Sequence, residues 1–194
     1  QFHIVTGDRD YTATSNEAQV PTDRWTTADT GERVYHATPA GMSLARWKAL
    51  IRERAWDVVY INGLYSTWST IMPLWILRNS PVRRIVAVRG MLAAGPMRQG
   101  ALKKRAFLAA MKLLGCFKGV EFQATNSEEA ADIRRWIGAG AVVHEVQNLA
   151  RKAANESPRT LPKRTGELRL VSLARIAAEK NTLFAIERLQ QVRG

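Results

Sequence analysis

Trp56-Asp57-Val58-Val59-Tyr60-Ile61-Asn62-Gly63-Leu64-Tyr65-Ser66 decides the fold class. From Trp56 to Ile61 the run is almost continuously apolar, β-branched or aromatic, as in a strand of a parallel sheet covered on both faces. It ends at Asn62-Gly63, a turn pair. Ahead of it, Ser43 stands at an N-cap position for a helix from Leu44 to Arg54, with Leu44, Trp47, Leu50 and Ile51 on one face. Behind it, Ser66 to Arg78 reads as a buried helix carrying Trp68, Ile71, Leu74, Trp75 and Ile76. Pro73 kinks that helix or marks its first turn. Helix, strand, helix is the alternation of a parallel sheet with helical crossovers.

The alternation continues both ways. Phe2 to Thr6 is a strand, followed by the loop Gly7-Asp8-Arg9-Asp10-Tyr11 and polar sequence to Gly31. Asp8 and Asp10 read as turn formers rather than metal ligands. Arg33 to His36 is a second short strand, broken by Pro39 and Gly41. Downstream, Ile85-Val86-Ala87-Val88 is a strand ending at Arg89-Gly90-Met91-Leu92. Pro96 to Gly115 is a basic helix with Leu102, Ala106, Ala109, Ala110 and Leu113 on one face, widened by Phe107, Leu108 and Met111. Two readings of it stand: a helix packed on the sheet with a solvated basic face, or a membrane-surface helix. Gly119 to Thr125 is a strand, Asn126 and Ser127 cap a helix striped by Ala130, Ile133 and Ile137, and Gly138-Ala139-Gly140 stops it. Val142 to Val146 is a strand in which His144 reads as a partly buried structural histidine.

Arg151 to Gly166 is polar and aperiodic, a linker. Leu168 to Leu173 is a further strand. A loop with Arg175 and Lys180 follows, then a helix from Thr182 with Leu183, Phe184, Ile186 and Leu189 as its stripe. Strand, loop and helix N-terminus together favour an anion, and Arg175 and Lys180 add a fork and a point charge; a solvated basic loop is the plainer alternative. The predicted architecture is α/β. It has a Rossmann-like, doubly wound parallel sheet over residues 1–150, a linker over 151–166, and the first β-α unit of a second domain over 167–194.

Composition narrows the partners. Lys and Arg number 29 against 17 Asp and Glu, a net charge of +12. Such a surface seeks polyanions, anionic lipid or phosphorylated substrates. No zinc-finger spacing or aromatic-basic run points to nucleic acid. The one cysteine, Cys116, excludes an intrachain disulfide, and its apolar setting reads as a buried thiol in a reducing compartment. The longest apolar run, Trp68 to Leu77, is too short to span a bilayer. The chain opens in a strand-like run without a Met, which reads as a piece of a longer chain. In open α/β sheets ligands bind beyond the carboxyl ends of strands, which singles out Asn62, Gly63 and Arg89. Asn62-Gly63 also reads as a plain tight turn.

The ordered set of motifs resembles retaining glycosyltransferases of family four, which have the two-domain GT-B fold. Ala174-Arg175-Ile176-Ala177-Ala178-Glu179-Lys180 is similar to the Gly-Arg-Leu, loop, Glu-Lys run that opens their donor-sugar domain, with Ala174 in place of the usual Gly. Arg89-Gly90-Met91-Leu92 is similar to a Pro-Arg-Gly-Met-Leu motif of one subgroup, with Val88 in place of Pro. Ala124 to Ala130 resembles an Ala-Thr-Ser-Glu segment. Asn62-Gly63-Leu64 stands where a His-Gly-Leu-type turn is common, and Asn62 hydrogen-bonds but does not titrate. Gln147-Asn148-Leu149 stands at a Pro-Asn-Gly position, matching only at Asn148. The resemblance is clearest from Val58 to Lys180.

The resemblance implies an acceptor-side domain plus the start of a donor domain. Arg175 and Lys180 would hold the diphosphate of a nucleotide sugar, with no metal or other cofactor. Asn62, Gly63, Arg89, Gly90, Thr125, Asn126, Ser127 and Asn148 would line the acceptor side of the cleft, with Arg89 the one catalytic candidate. The acceptor would be a glycan or lipid-linked sugar in cell-surface polysaccharide synthesis, with no nucleic-acid partner. The location would be cytoplasmic, peripheral on the inner face of an anionic membrane. The family's first strand and Gly-rich loop are expected ahead of Gln1, and its paired glutamates beyond Gly194. The 194 residues alone are therefore expected to be inactive. The alternatives are a nucleotide-sugar epimerase of the same architecture, or a basic Rossmann-like module for nucleic acid or anionic lipid.

Overall fold

The computed structural model describes residues 1–9, 20–149, 165–166, 170–171 and 181–191. The chain divides into two units, Gln1–Asn148 and Leu149–Gly194. Of the expected buried strand Leu168 to Leu173 only Leu170 and Val171 are described, and both are exposed and outside any strand; most of the linker and the loop with Arg175 and Lys180 lie outside the described residues. In the second unit, the helix expected after Thr182 spans Thr182–Gln190.

The first unit is α/β, with two sheets among its described residues. The smaller has the order β1-β3-β2, from β1 (His3–Gly7), β2 (Trp25–Thr27) and β3 (Arg33–Ala37). β1 runs parallel to β3, whereas β2 is antiparallel to β3 and forms a hairpin with it through Ala28 to Glu32. β2 falls in the stretch read as polar loop; Trp25-Thr26-Thr27 is β-favouring but only three residues long. The larger sheet is all parallel, in the order β4-β5-β6-β7, from β4 (Val58–Asn62), β5 (Arg83–Ala87), β6 (Val120–Ala124) and β7 (Val142–Glu145).

Among its described residues this unit also carries five α-helices. Ser43 caps α1 (Leu44–Arg52), its Oγ accepting from Arg46 N–H at 3.2 Å. The helix expected from Ser66 to Arg78 begins as a π-helical turn, Thr67–Ile71, and continues as α2 (Met72–Leu77). Pro73 accounts for the change: it has no N–H to give, so it fits the first turn of α2 and not the middle of a longer helix. The basic helix is likewise two pieces, α3 (Ala94–Arg98) and α4 (Ala101–Leu113), joined at Gly100, whose φ of +67° suits glycine. α5 spans Ser127–Ile137.

α4 buries Leu108 and Met111, with Phe107 packed against the core, while Leu102 and Leu113 are exposed. The face expected through Leu102, Ala106 and Leu113 is thus displaced. Large side chains bury more apolar area than alanines, and they decide the rotation. The widest apolar side of α4 is committed to the core, and among the described residues no helix is long and apolar enough to cross a membrane.

The main core joins Val86, Val88, Val120, Phe122, Ala124 and Ile61 to Leu74, Leu108, Met111, Ala130 and Ile133. By strand alternation these sheet residues share one face. The other face carries Val58, Tyr60, Arg83, Ile85, Glu121, Gln123, Val142 and His144, and none of them belongs to that core. The expectation of helices on both faces is met on one face among the described residues. Cys116 is fully buried, and burial pushes its thiol above its ordinary range.

On that open face, Glu121 accepts from Arg83 Nε at 2.8 Å and Nη2 at 2.7 Å. His144 Nε2 lies 2.6 Å from Glu121 Oε2, so His144 is an exposed member of a charge ladder and not the partly buried histidine expected. The hydrogen bonds from Arg83, and then from His144, hold the Glu121 carboxyl down to about 2. A carboxyl depressed in the folded state stabilises above its ordinary value of 4.5, and that stabilisation is lost as pH falls towards about 2. Glu121→Gln is therefore expected to flatten the loss of stability across that acid window. Superimposable acid-unfolding profiles of the two proteins would count against it.

Candidate functional site at the strand ends

Parallel pairing in register brings the carboxyl ends of four strands together, with Asn62 opposite Ala87, Ala87 opposite Gln123, and Ala124 opposite Glu145. The residues that follow these ends face one another. Arg89 is central. Its Nε donates to Asn62 Oδ1 at 2.6 Å, its Nη2 to the Tyr60 hydroxyl at 3.0 Å, and its Nη1 to Asn148 Oδ1. Tyr60 in turn donates to Gln123 Oε1, and Gln123 Nε2 donates to Val146 O at 2.8 Å. One guanidinium thus links the ends of β4, β5 and β7, and reaches β6 through Tyr60. All three of its acceptors are neutral oxygens, and among the described residues no carboxylate pairs with it directly. The fork geometry of arginine makes this three-way link; a lysine ammonium would not reproduce it.

The backbone at Arg89 is left-handed, with φ +54°, and Gly90 follows at +70°. A residue with a Cβ is disfavoured there by roughly 1–2 kcal/mol, so its surroundings hold the turn. Gly63, after β4, has φ +97°, and a Cβ there would lie 3.3 Å from Met91 Cε, so the Asn62-Gly63 turn requires glycine.

A second charged group lies beneath the turn. Glu129 is buried in α5. Its Oε1 accepts from Gly90 N–H at 2.5 Å, and its Oε2 accepts from Thr125 N–H at 2.6 Å and Thr125 Oγ at 2.8 Å. Burial raises the carboxyl's pKa. The hydrogen bonds from Thr125 and Gly90, with the charge of Arg89, outweigh burial and leave it below its ordinary value. Asn126 caps α5, its Oδ1 accepting from Glu129 N–H at 2.8 Å.

Arg89, Gly90, Thr125, Asn126, Glu128, Asp132 and Asn148 line a cleft of about 380 Å³ at this end of the sheet. A larger cleft, about 720 Å³, lies around the starts of β6 and β7, between Lys112, Phe117, Ile137 and Val142. The smaller one holds the convergent polar groups at the end where parallel sheets present their chemistry. With amides, a guanidinium and carboxylates at its wall, it presents both donors and acceptors, as a polyhydroxylated ligand requires.

Of the residues expected to form the site, Asn62, Arg89 and Asn148 are brought into direct contact, Gly90 and Thr125 are joined through Glu129, and Asn126 shares the cleft. Gly63 shapes a turn and is buried. Ser127 is the exposed first residue of α5 and does not line the cleft: the Asn126 side chain takes the cap. Arg175 and Lys180 lie outside the described residues. Tyr60, Gln123 and Glu129 were not anticipated. Tyr60 and Gln123 sit inside strands, where polar tips read as packing. Asn126 to Glu129 has capping-box spacing, which marks Glu129 as a cap and conceals its reach to Gly90. Comparison with protein-family models, curated proteins and solved structures finds no match to this chain.

Proposed function

We propose that the first unit is the acceptor-side half of a retaining GT-B glycosyltransferase, which moves a sugar from a nucleotide-diphosphate donor to a glycan or lipid-linked acceptor in cell-surface polysaccharide synthesis. The observation that carries this reading is Arg89, fixed by neutral oxygens across the strand ends and opening on a cleft of donors and acceptors. In this reading Arg89 contacts the acceptor, Asn62, Asn126 and Asn148 complete its polar wall, and Arg175 and Lys180 offset the charge of the leaving diphosphate without a metal. The net charge of +12 suits a peripheral enzyme on the anionic inner face of a membrane.

The test is Arg89→Ala in the complete enzyme. Loss of hydrogen bonds to a charged group is expected to lower transfer about 10- to 100-fold. Slow hydrolysis of the donor by water should be largely unaffected, since the acceptor plays no part in it. Equal loss of both reactions would assign Arg89 to the donor or to the fold. DNA binding that falls steeply with salt, with no affinity for UDP or GDP, would favour a basic binding module instead.

A further inference from the structure

We propose that Glu129 is the positioning residue that aims Arg89 across the strand ends. The proposal rests on the reading above only for what Arg89 does once aimed. Arg89 and Gly90 are consecutive left-handed residues, and the first has a side chain that disfavours that conformation. The turn is closed by Met91 N–H on Val88 O at 3.1 Å, and its remaining inner donor is the Gly90 N–H. The Gly90 N–H is held by Glu129 Oε1 at 2.5 Å. The other oxygen, Oε2, takes both donors of Thr125. One carboxylate thus fastens the turn after β5 to the turn after β6.

Glu129 is itself rigidly placed. It sits in the first turn of α5, which the Asn126 side chain caps, and the next residues inward, Ala130 and Ile133, are fully buried. Its two oxygens are committed to three internal donors, so it has little capacity left to act as a base. Glu128, one residue earlier, is exposed and makes none of these contacts. The two adjacent glutamates therefore divide: one at the cleft rim, one under the turn. An amide at 129 would not substitute. It has one acceptor oxygen, and its NH₂ would face either Gly90 N–H or Thr125 N–H, donor against donor.

The test uses the Arg89 side-chain Nε–H resonance of the full chain, which needs no substrate. In wild type, lowering the pH is expected to shift the Gly90 and Thr125 amides and Arg89 Nε–H together, with one midpoint below the ordinary glutamate value of 4.5. Arg89, Glu128 and Asp132 are the other charged groups at this cleft, so the titration is repeated with Glu128→Gln and Asp132→Asn, where the shared midpoint should survive. In Glu129→Gln, hydrogen exchange at Arg89 Nε is expected to quicken about tenfold, the weight of roughly one lost hydrogen bond. A folded Glu129→Gln variant whose Arg89 Nε–H is unchanged would overturn the proposal. If that variant does not fold, the wild-type titration decides: an Arg89 Nε–H that ignores the Gly90 and Thr125 midpoint overturns it equally. Should both resonance tests succeed while sugar transfer by the complete enzyme ignores Glu129→Gln and Arg89→Ala, the positioning stands and the glycosyltransferase reading fails.

Discussion

Replacing Phe122 with alanine is expected to cost about 3–5 kcal/mol of stability. Phe122 is 1% exposed and belongs to the cluster that joins the large sheet to α2, α4 and α5. Its ring meets Phe117 edge-on, with centroids 6.0 Å apart and planes at 63°. β6 lies between β5 and β7, so hydrogen bonds on both sides keep its backbone from sinking into the vacated space. The cavity term therefore adds to the transfer term. Set against a total stability of roughly 5–15 kcal/mol for an ordinary domain, one such change removes a large share. Urea unfolding at unchanged slope measures it. A loss under about 1 kcal/mol would mean that the ring is not packed as described. The site would suffer with the core, because Gln123 follows Phe122 in β6 and Thr125 follows the end of that strand.

β4 to β7 were legible because each is a short stretch with β-branched or aromatic residues on at least one face, bounded by turn residues, and that pattern is local. Ser43 and Asn126 were legible for the same reason: a cap acts within one turn of its helix. What failed was non-local. β2 is held by pairing with β3 rather than by its own three residues. The face of α4 was decided by what it meets, not by the count of apolar positions. Placing the helices required the strand order. With β4, β5, β6 and β7 laid down in sequence, right-handed crossovers return over the same face, whereas the alternation of elements alone also allows both. At the site, Asn62 and Arg89 stood out as strand-end residues, but their three-way contact with Asn148 depends on the register of four strands. Glu129 was hidden because a glutamate at a helix start already has a local explanation. His144 was misread because a histidine in a strand does not declare which face is covered.

On the proposed glycosyltransferase reading, Arg175→Ala or Lys180→Ala is expected to lower turnover by at least ~10²-fold, the scale of losing one preorganised charge partner. The helix Thr182–Gln190 follows these two residues in the sequence. Its first N–H groups lack partners within the helix and favour a negative charge. In the sequence Lys180 stands two residues before the helix starts, and Arg175 five residues before that. A nucleoside diphosphate leaving from the sugar gains charge as the bond breaks, and groups fixed beforehand stabilise that gain more than they stabilise the intact donor. Hence kcat and kcat/KM should fall together, whereas a rise in KM alone would mark ordinary donor binding. Arg175→Lys is expected to recover only part of the loss, since an ammonium lacks the fork that matches two phosphate oxygens. Near-wild-type turnover in both alanine variants would remove these residues from the site. It would also remove the strongest motif behind the donor half of the reading, and leave the Arg89 cleft to be explained as a binding surface.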